Sequence, residues 1–211
     1  SLHFGDRFDR PLQRVMLPNT LQNLRFGSRF NQSLEGVMLP RVQSLSFGSN
    51  FNRPLALPSS LQTLIVGRDF NQSLDQVNWP TLTTLTFGSR FDQSLDNVRL
   101  PKSLRTLTFG DWFNQRLDAV EWPSNLECLT FGSQFDQDMG GVNLPSELKS
   151  LTFGCRFNHS LSETRLPDSL QHLSLGQQFN CPLDYVIFPR NLQSLTLGDF
   201  NHSLEGVDLP N

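Results

Sequence analysis

Glycine recurs along this chain at a nearly fixed interval. Gly5, Gly27, Gly48, Gly67, Gly88, Gly110, Gly132, Gly154, Gly176 and Gly198 are separated by 22, 21, 19, 21, 22, 22, 22, 22 and 22 residues. A steady period of this size marks a solenoid, in which each repeat buries its apolar face only against its neighbours. Residues 1–211 therefore read as a single stack of about ten coils, without linkers or independent domains. The short intervals have local causes. One residue is missing after Pro40 and after Pro80, and the second half of the third coil is reduced to Leu55-Ala56-Leu57-Pro58.

Each coil contains two similar halves. The first has the form Leu-x-x-Leu-x-Phe, as at Leu21, Leu24 and Phe26, and is closed by glycine. The second has the form Leu-x-x-Val-x-Leu, as at Leu34, Val37 and Leu39, and is closed by proline. Both end in the apolar-polar-apolar alternation of a strand with one buried face. A coil of 22 residues leaves little length for a helix. The expectation is an all-β solenoid with two short parallel strands per coil, one on each side. Strands on both sides would give the two faces equal widths and only gentle curvature. Ten coils at the strand spacing would make a rod on the order of 45 Å long.

Composition sharpens this picture at one point. The chain has 18 Phe against a single Tyr, a bias that a generic core would not show. Ten of the Phe form one column, Phe8, Phe30, Phe51, Phe70, Phe91, Phe113, Phe135, Phe157, Phe179 and Phe200. A polar residue follows each: Asp9, Asn31, Asn52, Asn71, Asp92, Asn114, Asp136, Asn158, Asn180 and Asn201. These are expected to form an internal ladder, turned inward and bonded to the backbone of adjacent coils. Glycosylation sequons at Asn31, Asn71, Asn158 and Asn201 then read as unused by-products of the repeat.

The run Leu-x-x-Leu-x-Phe-Gly-x-x-Phe-Asn-Gln-Ser-Leu-x-x-Val-x-Leu-Pro resembles the FNIP repeat, a 22-residue relative of the leucine-rich repeats. Phe30 to Leu34 and Phe70 to Leu74 match closely, and Phe91 to Leu95 matches with Asp92 in place of Asn. The resemblance runs from Leu2 to Pro210. It implies a leucine-rich-repeat-like fold and, by analogy, protein recognition. It implies no catalytic residues.

Other classes of function find little support in the residues. A net charge of −3 offers no basic footprint for nucleic acid. No apolar run has the length that spans a bilayer, so membrane insertion is not expected. Cys128, Cys155 and Cys181 are odd in number and occupy three repeat positions, which suggests no disulfide framework and leans toward a reducing, intracellular compartment. His159 and His202 share a repeat position two coils apart, too far for a common metal ion, while His3 and His172 lie on another column. No residue sits as an activated nucleophile. The expectation is a protein that is not an enzyme and carries no metal or cofactor.

The outward positions are more informative. On the first strand they read Thr63/Ile65, Thr84/Thr86, Thr106/Thr108, Cys128/Thr130, Ser150/Thr152, His172/Ser174 and Ser194/Thr196. Thr63, Ile65, Thr84, Thr86, Thr106, Thr108, Thr130 and Thr152 thus form a weakly charged candidate docking face. Rows of Thr also suit an exposed strand through propensity alone, or an ice-binding array. Glu35, Asp75, Asp96, Asp118, Asp184 and Glu205 form an acidic ridge, and Arg7, Arg29, Arg90 and Arg156 share another position. Trp112, Tyr185, Ile187, Met16 and Met38 break the outward polar pattern and are candidate interface hot spots.

The reading that follows is an interaction scaffold with a protein partner. An ice-binding protein and a structural spacer in a larger assembly are the alternatives. Neither end carries a polar or helical cap, which leads one to expect a longer parent chain or end-to-end neighbours.

Overall fold

The computed structural model describes residues 1–209, so Pro210, the closing proline of the last coil, lies outside the described residues. Ten short strands run from β1 (Leu2–His3) through β6 (Thr106–Thr108) to β10 (Ser194–Thr196), and among the described residues there is no helix. All ten pair in chain order in one parallel sheet. The register is set by leucine on leucine: Leu85 pairs with Leu107, and Leu107 with Leu129. A slip of one residue would turn these leucines to solvent, so burial of one face pins the alignment.

The solenoid and its repeat are thus as expected, but the second strand is absent. Each coil ladders on one side only. In the second half, the Leu-x-x-Val run closes as a tight turn, with Val37 N–H donating to Leu34 O at 3.0 Å and Val120 N–H to Leu117 O at 3.2 Å. Glycine or asparagine within that run, as at Gly36 and Asn97, is the turn signal that the alternation concealed.

A gradient in coil spacing provides the physical reason. Phe26, Phe47, Phe87, Phe109, Phe131 and Phe153 lie at the strand ends. Successive rings there sit 5.5 Å apart at Phe26–Phe47 and 5.7 Å at Phe87–Phe109. In the deeper column the step is 6.3 Å at Phe30–Phe51 and 6.2 Å at Phe113–Phe135. Parallel strands need about 4.8 Å. The coils therefore fan apart with distance from the sheet, and a second ladder at the back is out of reach. The rings of the two columns are 3.8 Å apart at Phe26–Phe30, so the fan opens on the order of 10° per coil. The sheet lies on the concave side and the turns lie on the convex back. Equal faces and gentle curvature do not hold.

Two stacks hold the coils in place. The deep Phe column is almost fully buried from Phe30 to Phe179, with near-parallel rings. Beside it the glycine column brings backbone onto backbone: a Cβ on Gly110 would sit 2.0 Å from Gly88 O. Glycine is required there for close approach rather than for flexibility.

The polar ladder forms without a break. The Oδ1 of each member accepts the backbone N–H of the next, from Asn31 N–H to Asp9 at 3.0 Å up to Asn201 N–H to Asn180 at 2.8 Å. Glutamine adds a second rung in several coils, as Gln115 Nε2 donates to Asp92 Oδ1 at 2.8 Å. The ladder is not internal, however. Asn71, Asn158 and Asn201 are exposed and Asn31 is half-buried, so only the carbonyl oxygens are engaged in the stack. The reason is the fan itself: these bonds span the gap between coils at the margin of the core, where water also reaches.

Candidate binding surfaces

The concave sheet presents the two rows of small polar side chains. Thr63, Thr84, Thr86, Thr106, Thr108, Thr130 and Thr152 are half-buried, and Ile65 is exposed among them. Strand pairing places Thr84 beside Thr106 and Thr86 beside Thr108, so the rows are in register along the whole face. Apart from Arg25 on the second strand, charged side chains stay at the margin. Glu127 accepts from Arg105 on one side and from Lys149 Nζ at 3.2 Å on the other. That pairing, with Lys149 the larger influence, lowers the Glu127 pKa. Near the first coils the sheet carries a hollow of about 400 Å³ lined by His3, Asn23, Arg25, Ser44, Ser46 and Ile65.

The five hot-spot candidates do not converge. Trp112 lies on the edge formed by the glycine turns and is 57 % exposed. One face of its indole is already taken: the Arg90 guanidinium stands 5.7 Å from the ring centroid. Asp69 holds that arginine at 3.3 Å and also contacts Arg68 at 3.3 Å. Met16, Met38 and Ile187 share one column on the convex back, but at opposite ends of it. Their exposures are 95 %, 78 % and 85 %.

Tyr185 lies beside Ile187 in a turn, not on a strand. It is the one non-glycine residue among those described with a positive φ, 66°, and it is 89 % exposed. Gly36, Gly141 and Gly206 hold the same repeat position at φ 75°, 79° and 79°. A side chain in this region costs about 1–3 kcal/mol, and burial of Tyr185 does nothing to offset it.

Two back-face hollows were not visible in the pattern. One, of about 660 Å³, lies where the shortened third coil leaves a notch, with Val37, Leu55, Ala56 and Leu57 in its wall and Arg53 among its lining residues. Its signal in the sequence is the 19-residue interval. The other, of about 820 Å³, runs between Asn143 and Asp168 and reaches Ile187. Thr164 lines it from the column that holds valine in most other coils; it is 7 % exposed and its hydroxyl has no hydrogen-bond partner.

The acidic ridge is exposed, and its backbone is held by serine: Ser33 Oγ accepts the Glu35 N–H at 3.0 Å, and Ser203 does the same for Glu205. The three cysteines are free and half-buried. Among the described residues no group of three or more His, Cys, Asp or Glu is arranged to hold a metal ion. Among the same residues no helix is long and apolar enough to cross a membrane.

Comparison with known proteins places this geometry. Five consecutive segments, residues 1–29, 30–69, 70–112, 113–156 and 157–199, match the FNIP repeat. No curated protein sequence matches the chain. Among solved structures, the chain is similar to CroV588, described as a novel circular LRR protein, with 34 % identity and a TM-score of 0.61. That similarity covers 99 % of this chain but only 38 % of the other, so the chain spans well under half of that protein's length.

Proposed function

The chain belongs to the FNIP repeat family, and from that premise we propose that it is a non-enzymatic recognition scaffold that holds a protein partner along its concave sheet. The observation that carries this reading is the fan of the coils. It makes a trough whose floor from Thr84 to Thr152 is two registered rows of small, uncharged side chains. A partner segment lying across these strands would meet a hydroxyl donor and acceptor at each of them, and the charged residues at the margin would set its direction. Similarity to a circular leucine-rich-repeat protein supports the same view, because a ring is what sustained fanning of this kind produces.

The curvature also weighs against ice binding, which calls for a flat array, and Ile65, Cys128 and His172 interrupt the rows. A spacer role would leave the trough without a use. The test is parallel capture with the native chain and with a Thr86→Asp, Thr108→Asp, Thr130→Asp variant as baits. The expected result is a partner retained by the first and lost by the second, at equal circular dichroism and melting temperature. Equal retention by both would remove the trough from the account.

A further inference from the structure

The convex back holds exposed apolar side chains near its two ends, with polar residues in the same column between them. Near the first coils these are Val15, Met16 and Met38, and near the ninth coil they are Tyr185 and Ile187. Ala56 of the shortened coil and then Asn78, Arg99, Glu121, Asn143 and Arg165 occupy the column between Met38 and Ile187. Charge is divided along the same axis. Residues 1–70 carry eight basic and four acidic residues, a net of +4, while residues 71–211 carry nine basic and sixteen acidic residues, a net of −7. The two apolar patches therefore sit in fields of opposite sign. Arg14, Arg41 and Arg53 belong to the first and outnumber Glu35, which lines the notch together with Arg53. Glu163, Asp184 and Glu205 dominate the second, against Arg165 and Arg190.

The second patch carries a knob, because Tyr185 and Ile187 stand almost wholly clear of the surface, on the rim of the larger back-face hollow that Ile187 borders. The first patch lies beside the notch left by the shortened third coil, with Leu55, Ala56 and Leu57 in its wall and Arg53 beside them. We propose that the partner of this back surface is a second copy of the chain: the Tyr185–Ile187 knob of one copy seats in the third-coil notch of another, with Asp184 facing Arg53. Knob and notch lie on different parts of one molecule, so the contact is heterologous. Two convex backs touch at one place and part elsewhere, so a pair of copies cannot seat both knobs at once. Each copy then has one knob and one notch to offer, and association is open-ended. The concave sheet stays free for its own partner.

The strained backbone at Tyr185 provides a variant that removes the knob without threatening the fold. Glycine is the residue found at this turn position in Gly36, Gly141 and Gly206, so Tyr185→Gly relieves strain. Arg53→Glu reverses the charge at the notch on an exposed residue whose only described bond is from Nε to Asn31 O. The experiment is sedimentation velocity on the 211-residue chain across a concentration series, at low and raised salt. The native chain is expected to grow past the dimer with concentration, and less so at raised salt. Each variant alone should lose roughly tenfold or more in self-association, whereas the triple Thr→Asp variant of the sheet should behave as the native chain. An equimolar mixture of Tyr185→Gly and Arg53→Glu should form a one-to-one dimer and nothing larger, since one working knob and one working notch remain between them. A native chain that stays monomeric, variants that associate as the native chain does, or a mixture that polymerises would each overturn the proposal. So would a different protein found seated on the knob while the chain itself remains monomeric.

Discussion

The two halves of each coil are written in almost the same letters and behave differently. Leu104-x-x-Leu107-x-Phe109 yields a strand bonded on both sides, while Leu117-x-x-Val120-x-Trp122 yields a tight turn with no partner coil. The difference lies less in local preference than in position within the fan. On the concave side the coils are close enough for N–H to meet C=O across the gap. On the convex side the gap has opened, and the backbone closes on itself instead. An alternating pattern states which face is buried but does not state whether a neighbour is within hydrogen-bonding reach.

The glycines of the two halves give the sharpest way to break that comparison. Gly110 on the front has no room for a Cβ, whereas Gly141 on the back has open space but a φ of 79°. Gly110→Ala is expected to cost about 3 kcal/mol or more, because backbone would have to move. Gly141→Ala should cost about 1 kcal/mol, from the left-handed conformation alone. Urea denaturation of both variants measures the difference. Equal costs would mean that the front stack is not held by close approach.

A smaller effect is expected at the back, where Thr164 stands in a valine column with a buried hydroxyl that has no partner. Thr164→Val should stabilise the chain by about 1 kcal/mol, since it removes an unsatisfied polar group at nearly constant volume. A loss in the same denaturation measurement would show that the hydroxyl is satisfied after all.

The smallest effect concerns pH. The Asn31 backbone N–H and the Gln32 side chain both donate to Asp9, and these bonds hold its pKa below the ordinary value. A depressed carboxylate pKa contributes stability that is present above the unfolded value and is lost as pH falls through the folded one. Asp9 is fully exposed, so the contribution is screened and modest. Asp9→Asn keeps the accepting oxygen but not the charge, so it should flatten the acid side of a melting-temperature profile and lower its neutral value slightly.

Much of the molecule was legible from the repeat. The coil count, the single solenoid, the Phe stack, the polar ladder and the placement of Thr63 through Thr152 on one strand face follow from period and alternation. What escaped was anything that depends on spacing between coils rather than within them. The Leu-x-x-Val run reads as a second strand because it resembles Leu-x-x-Leu. The ladder asparagines read as internal because they follow a buried Phe, yet Asn71, Asn158 and Asn201 are exposed. Trp112 stood out as bare in the sequence, and only the folded chain shows Arg90 across its ring. The notch beside Arg53 was present only as a shorter interval.

Residue-resolved amide hydrogen exchange tests the one-sided ladder most directly. Slow exchange is expected at strand amides such as Thr106, Thr108 and Phe109, where a neighbouring coil accepts each N–H. Fast exchange is expected at Glu121 and Trp122 on the opposite side of the same coil. Equal protection on both sides would reveal a second sheet at the back, and with it the loss of the fan, of the concave trough and of the recognition role assigned to it.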